Sequence, residues 1–127
     1  MKHIAQAPQD LQDAVREFWP ESEWDNAVSI AYLESQWRRD ARNDTTRGGD
    51  FPCGQIIAIR LGVRISSELS LGYFQINACN FPTWDPETLL DPRENAGTAH
   101  MLWDSRGWYP WYYSALFLGL IKPFGSP

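Results

Sequence analysis

Ser70-Leu71-Gly72-Tyr73-Phe74-Gln75-Ile76-Asn77 decides how the rest of the chain is read. Taken alone it is an apolar run interrupted by one glycine, and Gln75 and Asn77 fit strand positions whose amides support neighbouring backbone. It gains weight from two distant segments. Ala31-Tyr32-Leu33-Glu34-Ser35 lies before it, and Asp91-Pro92-Arg93-Glu94-Asn95-Ala96 lies after it.

Upstream, the pattern predicts two helices. Leu11, Ala14, Val15 and Phe18 recur at helical spacing between Pro8, which suits a first turn, and Pro20, which ends the helix. Ser22 followed by Asp25 resembles a capping box opening a second helix from about Glu23 to Trp37. Ala27, Ile30, Ala31 and Glu34 share one side of it, so a carboxyl group continues an apolar face close to the helix's C-terminal end. Burial and the helix dipole both oppose an anion there and raise the Glu34 pKa, which is what a general acid needs near neutrality. The plain alternative is a surface glutamate paired with Arg38 one turn on.

Arg38 to Gly54 is polar, contains Gly48-Gly49 and Pro52, and reads as loop. Gln55–Ile65 is apolar and β-branched, fitting a strand pair that turns near Leu61-Gly62 or a short helix, with a small β-region preferred. Phe81–Pro86 is a turn-rich connector and Glu87–Leu90 a single helical turn. Asp91 then caps a helix with Pro92 in its first turn, presenting Asn95, Ala99, Leu102 and Trp103 on one face and running to about Arg106, where Gly107 stops it. Trp108–Tyr113 is an aromatic cluster at a helix–loop junction. Nothing repeats, and 127 residues with 43% hydrophobic content fit one domain spanning 1–127. The expected fold class is mainly α, an α+β arrangement with a small β-region forming one wall of a cleft.

Composition narrows the function. Seven Trp among 14% aromatic residues are hard to hide in a small core, so some are expected to line a groove, where sugars stack on aromatic faces. A net charge of −5 and a sequence pI of about 4.9 argue against nucleic acid and against electrostatic recruitment to an anionic wall. Ala115–Ile121 is far shorter than a membrane span, and Met1–Gln6 has no apolar signal region, so neither membrane insertion nor a signal peptide is expected. Cys53 and Cys79 match no zinc motif, and their number alone does not decide whether they pair. His3 and His100 stand at no ligand spacing, and no metal or other cofactor is expected.

Three motifs agree in order with one superfamily. Glu34-Ser35 resembles the catalytic Glu-Ser of soluble lytic transglycosylases. Gly72-Tyr73-Phe74-Gln75-Ile76-Asn77 resembles the Gly-Leu-Phe-Gln-Ile-Asn motif of lysozyme-like domains. Asp91-Pro92-x-x-Asn95, with Gly107-Trp108-x-Pro110-Trp111, resembles the closing segment of phage and actinobacterial members. The match covers roughly residues 21–113. It implies a lysozyme-like fold that cleaves the β-1,4 bond between N-acetylmuramic acid and N-acetylglucosamine in peptidoglycan. Glu34 becomes the general acid, Phe74, Gln75 and Asn77 the cleft floor, Asn95 the group facing Glu34 from the opposing helix, and Tyr73 and Trp108 further substrate contacts. The bland readings are that Gln75, Asn77 and Asn95 brace backbone and that Trp108 and Trp111 are core.

One departure bears on mechanism. Retaining glycosidases place a second carboxylate about 5 Å from the first. In animal-type lysozymes that Asp stands two residues before the Gly of the motif, and here that position is Ser70. Glu68, Asp44 or Asp50 could supply a base for an inverting hydrolase, although Glu68 also reads as a solvated loop residue. A lytic transglycosylase needs only Glu34, with Ser70 and Ser35 in support, and this route to 1,6-anhydro products is preferred. The phage resemblance implies a virion or host periplasm and cell-wall setting, with glycan strands and other virion or tail proteins as partners. Gly125-Ser126-Pro127 reads as the start of a linker to a larger protein. The rival from another class is a non-catalytic glycan-binding or virion structural module.

Overall fold

The computed structural model describes residues 1–46, 51–60, 63–81 and 85–125. It is mainly helical with a small antiparallel β-region. The helices are α1 (Gln9–Phe18), α2 (Trp24–Ser35), α3 (Pro92–Arg106) and α4 (Tyr112–Phe117). The strands are β1 (Arg42–Asp44), β2 (Ile56–Arg60), β3 (Val63–Ser66), β4 (Leu69–Leu71) and β5 (Ile76–Asn77). β4 is the middle of a three-stranded sheet in the order β1-β4-β5, with Asn43 opposite Ser70 on one side and Ser70 opposite Asn77 on the other. β2 and β3 form a separate hairpin, so the β-branched run adopts the strand pair. Its turn residues Leu61 and Gly62 lie outside the described residues, as do Gly48, Gly49, Asp50 and Trp84.

The helix ends obey local chemistry with one exception. Asp91 accepts from the backbone N–H of Arg93 and Glu94, Pro92 needs no donor at its position, and Gly107 turns out of α3 at φ 62°. Ser22 does not cap α2. Residues Glu21–Glu23 form a short 3-10 turn that leads directly into the helix. Asp25 is taken by a distant partner instead, accepting from the N–H of Ile4 and bonding the His3 ring. α2 stops at Ser35 because Gln36 and Trp37 both adopt left-handed backbone, and Trp37 Nε1 returns to the Val28 carbonyl at 2.9 Å.

The core lies where α1, α2 and α3 meet the 70–77 segment. Leu11, Val15, Val28, Ile30, Leu71, Phe74, Ile76 and Leu89 are its large, buried side chains. Trp19 stacks on Phe74 and on Trp108, with centroids 5.8 and 5.3 Å away, and gives its indole N–H to the Ala96 carbonyl. Trp19, Trp108 and Trp111 are buried, while Trp24, Trp37 and Trp103 pack half-buried against the same core. The expectation that several indoles line a groove is therefore corrected. The described indoles build or back the interior, and Trp111 is the one among them that also borders the cleft. Cys53 and Cys79 form a disulfide that ties the loop before β2 to the turn after β5. No helix among the described residues is long and apolar enough to cross a membrane.

Asn95 and Gly72 hold the central segment in place. Asn95 is completely buried and uses both ends of its amide. Oδ1 accepts from the Phe74 N–H at 2.8 Å, and Nδ2 donates to the carbonyls of Leu71 and Leu89 at 2.8 and 2.7 Å. Gly72 has φ +77°, and a side chain there would place Cβ 2.6 Å from the Leu89 carbonyl oxygen and closer still to the Asn95 amide. The glycine thus lets the strand approach the end of α3 closely enough to be bonded by it.

Candidate active site

Glu34 sits on the last turn of α2, half-buried, facing a cleft of about 290 Å³. Its carboxylate accepts a hydrogen bond from Ser114 Oγ of α4 at 2.6 Å. Burial is the main influence on its pKa and raises it. The Ser114 hydrogen bond favours the charged form and opposes that, while the nearby Glu68 charge adds to the rise. Arg38 turns away and donates through Nε to the Ser35 carbonyl at 3.2 Å. Among the described residues it forms no ion pair with Glu34.

The facing wall is the β4–β5 segment. Glu68 precedes β4, and its Oε2 accepts from Ser70 Oγ at 2.8 Å, so Ser70 holds a carboxylate at the cleft rather than replacing one. Gln75 has left-handed backbone, φ 50°, and donates through Nε2 to the carbonyls of Ala41 and Gly72, both at 3.1 Å. Asn77 Oδ1 accepts from the N–H of Leu69 and Cys79, at 3.2 and 3.1 Å. Each amide thus spends one end on the wall and leaves the other for a ligand. Glu34, Glu68, Ser70, Gln75 and Asn77 all border the same cleft. The arrangement supplies a carboxyl biased toward its protonated form, a second carboxylate near enough to influence it, and polar groups suited to sugar hydroxyls and amides.

Five expected residues lie elsewhere. Ser35 is buried and bonds back to the Ala31 carbonyl at 2.8 Å, serving the helix end. Tyr73 is buried and its hydroxyl donates to Asp10 at 2.6 Å, on α1. Phe74 is a core ring, and its backbone N–H and C=O are taken by Asn95 and by Trp111 Nε1. Asn95 does not face Glu34, because its three hydrogen bonds brace backbone. Trp108 is stacked in the interior on Trp19. Of the other carboxylates considered, Asp44 caps its own turn by accepting from Thr46, and Asp50 is outside the described residues.

The cleft also contains residues that are not among the expected site residues, although Pro110 and Trp111 stand in the closing motif. Asn80 extends the β wall, and Leu102, Arg106, Pro110 and Trp111 belong to α3 and the turn after it. Ser114 contacts Glu34 across 80 positions of sequence, a pairing that no local spacing encodes. Trp111 is carried by the closing motif itself, and Arg106 stands immediately before that motif's Gly107 at the helix–loop junction. No protein-family model, curated protein or solved structure matches this chain.

Proposed function

We propose that this chain is a lysozyme-like enzyme that cleaves the β-1,4 bond between N-acetylmuramic acid and N-acetylglucosamine in peptidoglycan strands, with Glu34 as general acid. The observation that carries this reading is the half-buried Glu34 carboxyl, held toward its neutral form inside a cleft bordered by Glu68 and two amides. Protonated Glu34 gives its proton to the bridging oxygen as the C1–O bond breaks. In the lytic route the N-acetyl carbonyl stabilises the developing charge at C1. The muramic C6 hydroxyl then attacks C1 and returns a proton to the Glu34 carboxylate. The product is a 1,6-anhydro sugar, and no water is consumed. The motif resemblance and the serine at position 70 support this route.

Glu68 favours a second reading. Its carboxylate is held by Ser70 at 2.8 Å in the same cleft, where it can receive a proton from water. Water would then attack C1 and the enzyme would be a hydrolase. The phage-type resemblance supports a virion or cell-wall setting, in which a particle rather than surface charge delivers an acidic domain to the wall.

Mass spectrometry of muropeptides released from purified peptidoglycan separates the routes. Products ending in 1,6-anhydromuramic acid support the lytic route with Glu34 working as both acid and base. Reducing-end products, heavier by one water or ~18 Da, support hydrolysis through Glu68. No release overturns the enzymatic reading in favour of a glycan-binding module.

The pH dependence tests the assignment of Glu34. A general acid acts while protonated, so the rate falls as pH rises through its pKa, and burial places that limb above the ordinary carboxylate range. Ser114→Ala removes the hydrogen bond that favours the charged form. The alkaline limb is therefore expected to move to higher pH in the variant. Movement the other way, or none, contradicts Glu34 as the titrating acid.

A further inference from the structure

We propose that Arg106 is a specificity-determining residue that receives a carboxylate of the substrate. This rests on the cleavage reading above and names the strand chemistry that the cleft selects. Arg106 ends α3 and borders the cleft that holds Glu34 and Glu68, and it is the cationic side chain among the described residues lining it. Its guanidinium forms no hydrogen bond or ion pair among the described residues. The other arginines whose side chains are described are committed. Arg93 grips Glu17, Arg42 pairs with Glu87, Arg39 with Asp10, Arg16 bonds Gln12, and Arg38 bonds the Ser35 carbonyl.

A cation in the last turn of a helix also complements the helix dipole. That role needs only positive charge near the helix end and does not require the side chain to border a cleft. The cleft gives the charge a second task. A carboxylate such as Glu68 repels any anionic group brought beside it unless a cation offsets it. N-acetylglucosamine is neutral, whereas muramic acid carries a lactyl group whose carboxyl is either free or extended by a peptide bearing its own carboxylates. A guanidinium fork matches a carboxylate with two parallel hydrogen bonds, which lysine cannot reproduce. Arg106 therefore selects strands that carry carboxylates near the scissile bond over neutral glucosamine polymers.

The test uses soluble peptidoglycan strands in three forms: intact, stripped of peptide by an amidase, and with all carboxyl groups converted to amides. For Arg106→Gln, KM on intact strands is expected to rise about tenfold, the loss of one charge-assisted pair. The value of kcat is expected to stay within about twofold. Arg106→Lys recovers part of the KM loss. On amidated strands the wild type itself has the raised KM, and the difference between wild type and Arg106→Gln disappears. On stripped strands, where the amidase has freed the lactyl carboxyl, a difference that persists shows that Arg106 also receives that carboxylate, and one that vanishes confines its role to the carboxylates of the peptide. An unchanged KM for Arg106→Gln on intact strands, or an equal rise on amidated ones, overturns the proposal while leaving cleavage intact. Binding of intact and amidated strands is also measured by calorimetry with Glu34→Gln, alone and combined with Arg106→Gln. Carboxylate recognition is then read without turnover, so its failure is distinguishable from failure of the cleavage reading.

Discussion

Glu34→Gln is expected to stop muropeptide release, with a loss of at least ~10²–10⁴ in rate, the usual contribution of a positioned general acid. The amide keeps the size of the carboxyl and can still accept the hydrogen bond from Ser114, but it has no proton to give the leaving oxygen. The fold is expected to survive. The Glu34 pKa is raised in the folded state, so the stability linked to its proton is fully present below the unfolded pKa and lost as pH rises through the folded one. At neutral pH the wild type has given up part of that stability and the glutamine variant has not. Thermal melts should therefore show the variant at least as stable as wild type at neutral pH, with the gap closing in acid. Release assays and melts on the same preparations check both parts. Full activity in Glu34→Gln would remove Glu34 from the chemistry, and a collapsed melt would show the carboxyl to be structural.

Elements built from local rules were legible in the sequence. The start and stop of α3 follow from Asp91, Pro92 and Gly107 alone, because capping, a donor-free first turn and a left-handed stop are properties of those residues. Glu34 was legible for a similar reason, since helical spacing carries an apolar face up to it. The start of α2 was not, because Asp25 serves the chain's N-terminal segment 21 residues away instead of its own helix. Local spacing does not encode such long-range competition. The site divides along the same line. Gln75, in the turn before β5, and Asn77, on β5, border the cleft, whereas Tyr73, Phe74 and Asn95 share the same motifs yet turn inward. A motif names the residue types that a segment needs, and both sugar binding and backbone bracing need an amide or an aromatic ring. Which need is met depends on the face presented, and that is set by the packing of α1 and α3 around the segment.

Asn95 is where that distinction has its largest energetic consequence. Asn95→Ala removes the side-chain acceptor of the Phe74 N–H and the side-chain donor to the Leu71 and Leu89 carbonyls, all around a completely buried side chain. Unsatisfied buried groups cost about 1–3 kcal/mol each, so a loss of about 3 kcal/mol or more is expected. For a domain of this size that lowers the melting temperature by roughly 10 °C. Asn95→Asp probes the same contacts by charge. An ionised Asp accepts from Phe74 but cannot donate to either carbonyl, and it places a buried anion beside both. Protonation restores one donor, so the Asp variant is expected to lose less stability in acid than at neutral pH. A sugar-contacting Asn95 predicts the reverse pattern: wild-type melting for both variants, with the loss confined to cleavage. Melting curves across pH, read beside release assays at a temperature where both variants remain folded, decide between a brace and a binding group.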